Sequence, residues 1–163
     1  MPLSGSGLGG QSVKIAMGAD HGGFLLKELI RNFLEEQGHE VIDLGTQSPE
    51  PSDYPDFARA VAEAVTSRRT ERGILICGGG VGASVAANKV PGIRAAVCHD
   101  TFSAHQGVED DEMNVLCLGE RIIGPELAKE IVLKFLSARF SGAERHIRRL
   151  NKVRGIEKDY MKC

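Results

Sequence analysis

Five short runs rich in Val, Ile, Leu and Ala recur along the chain, and each leads into a segment with helical spacing. The runs are VKIAMGA (13–19), EVIDLG (40–45), RGILIC (72–77), GIRAAVC (92–98) and MNVLCLG (113–119). They are nearly continuous in apolar character. That is the mark of strands covered on both faces, as in parallel sheets flanked by helices. Right-handed strand–helix–strand crossovers complete the picture. The pattern predicts one α/β domain over residues 13–163, a three-layer α/β/α sandwich around a five-stranded parallel, Rossmann-like sheet. A length of 163 residues suits a single core of that kind. The opening MPLSGSGLGGQS (1–12) is rich in Gly and Ser and reads as a disordered extension or cloning scar.

The intervening segments read as helices. FLLKELIRNFLEEQG (24–38) places apolar residues at 25, 26, 29, 30, 33 and 34 and ends on Gly38. SPEPSDYP (48–55) reads as loop, because Pro49, Pro51 and Pro55 interrupt any regular element. Helices are then expected over DFARAVAEAVTSR, GASVAANKV, TFSAHQGVE and GPELAKEIVLKFLSARF, with a basic helix after Gly142. No internal repeat is present.

In sheets of this kind ligands bind beyond the carboxyl ends of the strands. Asp20 and His21, Gly45, Cys77 to Gly82, His99 and Asp100, and Gly119 to Arg121 all follow strands directly. The turn CGGGVG is the most informative. Gly78, Gly79, Gly80 and Gly82 expose backbone N–H groups where a helix begins, which suits an anion and lets a ligand approach the backbone. It is not a nucleotide P-loop, since no Gly-Lys-Ser/Thr follows. It does fit G-x-G-x-x-A (Gly78, Gly80, Ala83), with Asp100 about 20 residues on. That dinucleotide fingerprint normally opens the first strand–helix unit, however, and here it follows the third strand. A cysteine at a helix start tends toward thiolate. Cys77 therefore reads as a base beside oriented N–H donors, with a buried strand-end cysteine as the alternative.

Net charge is -2, which gives no overall bias toward nucleic acid or membrane. From Gly142 to Cys163 seven Lys/Arg face three Asp/Glu, or +4, leaving -6 for the rest. That basic end suggests a local anion site or a solvated helix face. Cys77, Cys98, Cys117 and Cys163 lack metal-site spacing, and three lie in strand runs. Reduced thiols in a cytoplasmic protein are expected, with no disulfide and no metal. No apolar run approaches the roughly 18 residues of a membrane span.

GADHGG, DYPDFA, GILICGGGVGASVAANKVPGIRAA, NVLCLGERIIG and ERHIRR together resemble the type B ribose-5-phosphate isomerases. That family includes the galactose-6-phosphate isomerase subunits. The resemblance spans residues 13 to 160. It implies aldose–ketose isomerisation of a sugar phosphate through a cis-enediolate, without cofactor or metal, in a homodimer whose sites are shared between subunits. It implies Cys77 as the proton-shuttling base and the amides of Gly78, Gly79, Gly80 and Gly82 as holders of the enediolate oxygens. Asp20 and His21 would contact substrate hydroxyls and phosphate, with Tyr54 beside them. Arg145 and Arg149, four apart on one helix face, would fork onto the phosphate, and Arg121 would lie near it.

Three positions depart from the family pattern. Gly79 stands where a threonine is usual. Asp110 stands where the ring-opening histidine falls, and Asp111 where an asparagine falls. Histidine can take and give protons near neutral pH, its ordinary pKa being about 6.5, whereas an ordinary aspartate ionises near about 3.9. The expected reaction is ribose 5-phosphate to ribulose 5-phosphate. The alternatives are another sugar or sugar phosphate of four or six carbons, or a nucleotide- or phosphate-binding module without catalysis.

Overall fold

The computed structural model describes residues 10–161. The expectations for residues 1–9 and for Cys163 fall outside that range. The five runs form strands β1 (Lys14–Ala19), β2 (Glu40–Asp43), β3 (Arg72–Cys77), β4 (Ala95–Val97) and β5 (Val115–Gly119). All pair in parallel, in the order β2-β1-β3-β5-β4. The helices are α1 (Phe24–Glu36), α2 (Tyr54–Thr66), α3 (Val81–Ala87), α4 (Thr101–Asp111), α5 (Pro125–Ser137) and α6 (Glu144–Tyr160).

Alternate residues of each strand serve opposite faces. Ile15, Met17, Ile74, Ile76, Leu116 and Leu118 pack under α1, α4 and α5, meeting Leu26, Ile30, Val108, Ile131 and Phe135. Ala16, Leu75, Val115 and Cys117 face the other way, under Val61, Ala62 and Val65 of α2 and Ala83 and Ala87 of α3. That double burial is why the strand runs are continuously apolar, and it gives the three layers expected.

Among the element boundaries that differ from the sequence reading, two have a clear physical cause. Helix α2 starts at Tyr54, so Pro55 lies inside it rather than ending a loop. A proline in a first helical turn loses nothing, because its missing N–H would have no partner there. Strand β4 shortens to three residues. It is an edge strand, and Asn88 holds its outer side, giving Nδ2–H to Ala95 O and taking Ala95 N–H on Oδ1, both at 2.8 Å.

Helix α6 lies against α4, outside the sandwich. Arg154 reaches Glu112 at 3.1 Å, and Glu157 accepts the Gly92 N–H at 2.7 Å. Ile147, Val153, Ile156 and Tyr160 of α6 are exposed.

Candidate active site

The crossovers diverge at β1 and β3, the switch point where sheets of this class bind ligands. Asp20 follows β1 and Cys77 ends β3. Asp20 is buried, and its Oδ1 accepts the Gly22 N–H at 2.9 Å, fixing a 3₁₀ turn over His21–Gly23. A Cβ on Gly23 would lie 2.1 Å from Ile76 O, so the turn sits directly on β3. His21 points toward the β2–α2 loop. Its Nδ1 meets the Ser52 backbone, 3.1 Å from the nitrogen and 3.2 Å from the oxygen.

The glycine turn folds around the sulfur. Gly80 is left-handed, with φ of +82°, and gives its N–H to Cys77 Sγ at 3.1 Å. Loop β5–α5 closes over the turn. Glu120 N–H bonds Cys77 O at 2.9 Å and Arg121 N–H bonds Gly78 O at 3.1 Å. The Arg121 guanidinium then lies 3.3 Å from where a Gly78 Cβ would be. The Tyr54 ring lies 2.7 Å from where a Gly82 Cβ would be. Gly79 is exposed with nothing near its Cβ position, so the residue that departs from the family pattern borders open space.

The other described cysteines do not compete with Cys77. Burial pushes the Cys98 thiol up to about 11, with Asp100 adding to it, and burial pushes Cys117 up further. Asp100, the acid of the dinucleotide fingerprint, is committed locally. It caps α4 by accepting the Ser103 N–H at 2.6 Å, which lowers its pKa. His99 Nε2 accepts the Gly119 N–H at 2.9 Å, while His105 pairs with Glu109 at 2.6 Å on an exposed turn of α4.

One chain therefore brings Asp20, His21, Tyr54, Cys77, Gly78 to Gly82 and Arg121 to one sheet edge. It does not bring Asp110, Asp111, Arg145 or Arg149 there. Helix α4 returns from the end of β4 to the start of β5, so Asp110 and Asp111 lie at the opposite edge. Along β5 that is a separation of about 13 Å at about 3.3 Å per residue. Helix α6 is tied to that same edge through Glu112 and Gly92. Arg145 and Arg149 are exposed on it. Cavities of about 650 and 580 Å³ also open at that edge, one beside His39 and Lys134 and one beside Arg72, Arg94 and Arg139.

Comparison with known proteins gives the family. Residues 15–153 match the family described as ribose/galactose isomerase. The chain belongs to the ribose/galactose isomerase family. It is thus an aldose–ketose isomerase of sugar phosphates. Ribose-5-phosphate isomerase B of Escherichia coli (strain K12) is 50% identical over 144 residues, covering 88% of this chain and 96% of that protein. D-erythrulose-4-phosphate isomerase of Pectobacterium atrosepticum is 45% identical over 131 residues, covering 80% and 86%. The structure of Clostridium thermocellum ribose-5-phosphate isomerase B superposes with a TM-score of 0.88 at 53% identity, covering 90% and 99%. The resemblance read from the sequence is thereby established, and the module without catalysis is set aside.

Three further residues were given no role by the sequence reading, two beside the site and one on α6. Glu120 Oε1 accepts the Leu26 N–H at 2.6 Å and so docks the start of α1 on loop β5–α5. Lys27 is fully buried and bonds both Asp43 oxygens, at 2.8 and 3.0 Å, and Thr46 O at 2.8 Å. Its signal is a lysine in register with the inward stripe of Ile30 and Leu34. His146 is buried on α6, four residues before the buried Leu150, a polar residue in an apolar register.

Among the described residues, no helix is long and apolar enough to cross a membrane. No group of three or more His, Cys, Asp or Glu residues gathers there as a metal site would.

Proposed function

We propose that the protein interconverts ribose 5-phosphate and ribulose 5-phosphate through a cis-enediolate, with Cys77 as the base. The observation that carries this reading is the Gly80 N–H on Cys77 Sγ, inside a turn whose neighbouring amides open toward the sheet edge. A base and oriented donors at one place are what proton transfer next to a carbonyl requires. Cys77 takes the C2 proton of the open-chain aldose and returns it to C1, while the O2 hydroxyl proton passes to O1, leaving a hydroxymethyl at C1 and a ketone at C2. The carbonyl oxygen, negative in the enediolate, rests on the turn amides. Asp20, His21 and Tyr54 hold the sugar hydroxyls, and Arg121 lies toward the phosphate.

The active unit is a homodimer. Cys77 and the pair Arg145 and Arg149 lie at opposite edges of one sheet, so one chain cannot apply both to a sugar phosphate. A second copy, turned over, would bring its α4 end and α6 to the Cys77 edge. The exposed apolar residues Val81, Val85, Phe102 and Ile122 around that edge, with those of α6, suit such a contact.

Asp110 favours a second reading. A four-carbon aldose 4-phosphate cannot close a five-membered ring, and so would not need the missing histidine. The identity to a D-erythrulose-4-phosphate isomerase agrees with it. Ketose formation measured across ribose 5-phosphate, erythrose 4-phosphate, a hexose 6-phosphate and their unphosphorylated forms tests both readings. Highest kcat/KM on ribose 5-phosphate supports the first, and highest on the tetrose phosphate supports the second.

A further inference from the structure

The cavity of about 580 Å³ at the sheet edge away from Cys77 is lined by arginines from four segments. Arg68 follows α2, Arg72 opens β3, Arg94 precedes β4 and Arg139 follows α5. Two acids, Glu71 and Glu112, share the wall. Glu112 is engaged by Arg94 at 3.5 Å and by Arg154 at 3.1 Å. Among the described residues, Arg68, Arg72 and Arg139 have no ion-pair partner. None of Asp110, Asp111, Arg145 or Arg149 lines the cavity, so these arginines are additional to those proposed for the substrate phosphate.

Capping of α5 accounts for part of the arrangement. Arg72 gives N–H groups to Phe135 O and to Ala138 O, the latter at 2.6 Å. Arg139 Nη1 gives to Leu136 O at 2.8 Å and to Ala138 O at 3.0 Å. A guanidinium carries five N–H groups. Those on Arg139 Nε and Nη2 have no acceptor among the described residues. Ala138 O also draws two positive charges together. Burial, and after it the Arg139 charge, lower the Arg72 guanidinium to about 10, and Glu71 offsets them only in part. Like charges gathered in a partly buried place repel, and an anion between them would reverse that.

Thr70 gives independent evidence. It lines the same cavity and is 3% exposed, and its hydroxyl has no hydrogen-bond partner among the described residues. Its N–H is engaged by Ala64 O at 3.1 Å. A buried hydroxyl left without a partner is costly and uncommon. Val65, Val108, Met113 and Phe140 supply apolar wall. Apolar lining with a few converging polar groups, in a volume of roughly 300–1,000 Å³, is the make-up of a small-molecule site.

We propose that this cavity binds a dianionic phosphate group, free or on a small phosphomonoester, with Arg68, Arg72 and Arg139 as its cations and the Thr70 hydroxyl as a further donor. Guanidiniums fork onto phosphate oxygens, and a hydroxyl can give its hydrogen to another. Phosphate carries close to two charges at neutral pH and so balances more of these arginines than a carboxylate would. The site lies at the start of β3, five residues before Cys77, or about 16 Å at about 3.3 Å per residue. It therefore does not depend on which sugar phosphate the enzyme converts.

The test is a titration of the full chain with inorganic phosphate at constant ionic strength, followed by proton–nitrogen NMR of the backbone amides. The amides of Thr70, Glu71, Arg72 and Asn114 should shift and saturate in the millimolar range, on a curve separate from that of Gly78 to Gly82. Thr70→Val should weaken this binding by roughly fivefold. It should not lower the melting temperature of the phosphate-free protein, since the hydroxyl removed has no partner there. Arg139→Gln should weaken binding by roughly ten- to a hundredfold, the loss that goes with a charged hydrogen-bond donor. A parallel titration with phenyl phosphate tells the sources apart: tighter binding than inorganic phosphate marks an ester as the ligand, and equal or weaker binding marks free phosphate. No shift at Thr70 to Arg72, or a shift that sodium chloride reproduces at the same ionic strength, overturns the proposal. Wild-type affinity in both variants does the same. Shifts confined to Gly78 to Gly82 would leave phosphate to the isomerase site alone, and they too overturn it.

Discussion

Gly80 gives its backbone N–H to Cys77 Sγ at 3.1 Å, three residues after the sulfur, from a left-handed conformation with φ of +82°. The bond and the conformation require each other. A Cβ at position 80 would lie 3.1 Å from Leu118 C and 3.2 Å from Leu118 O, backbone that cannot give way cheaply. A left-handed non-glycine residue also costs roughly 1–2 kcal/mol. Gly80→Ala should lower both stability, by about that amount in a denaturant titration, and kcat, since the donors beside the sulfur move. Wild-type kcat in a destabilised Gly80→Ala would separate the turn from the chemistry.

Gly79 makes the opposite case. Nothing lies within 4 Å of its Cβ position. Gly79→Thr should leave the melting temperature within a degree or two and supply a hydroxyl at the rim of the site. A fall of several degrees would mean the turn is more tightly filled than its geometry indicates.

Lys27 and Asp43 hold the β2–α2 loop against the end of β1. Removing one member of a buried ion pair strands the other and costs about 3–5 kcal/mol. Asp43→Asn and Lys27→Ala should each approach that figure in chemical denaturation, and the double variant should lose less than their sum. Full additivity would show that the two groups act independently.

The proposed reading puts the substrate phosphate on Arg145 and Arg149 of α6. Arg149→Ala should lower kcat/KM on phosphorylated sugars by tenfold or more, with little change on unphosphorylated ones, since remote binding energy is withheld only from the former. Equal losses on both would remove Arg149 from phosphate binding.

The buried thiols predict an alkaline weakness. Cys98 is raised to about 11 from a model-peptide value of 9.0, chiefly by burial. In the unfolded chain the thiol ionises from about pH 9, while in the fold it stays protonated to about pH 11. Below pH 9 both states are protonated and stability is unaffected. Between pH 9 and 11 the unfolded state sheds its proton first, so stability falls as pH rises. The difference in melting temperature between wild type and Cys98→Ala should therefore shrink across that window. A constant difference would contradict the burial argument.

The sheet was legible in the sequence because its strands are buried on both faces, which leaves a continuous apolar run that few other arrangements produce. The Gly-rich turn and Cys77 were legible for a local reason: strand, turn and helix are contiguous in sequence. Tyr54 was placed by its motif, but the helix beginning there was missed because Pro55 reads as an interruption until its position in the first turn is known. Lys27, Glu120 and His146 were not found. Each meets a partner 16 to 94 residues away or on another helix, and no local pattern encodes such pairing. The division of the site residues between two sheet edges was equally invisible, since it follows from the direction in which α4 crosses the sheet.

The central claim is that Cys77 carries the proton between C2 and C1. The direct measurement is ribose 5-phosphate conversion in D₂O, followed by proton NMR, for wild type and Cys77→Ala. The account predicts that wild type forms ribulose 5-phosphate with deuterium entering at C1. It predicts that the variant, folded and with KM little changed, loses roughly 10²–10⁴ in kcat. Turnover by Cys77→Ala within a few-fold of wild type, with deuterium still entering at C1, would contradict it and place the base elsewhere.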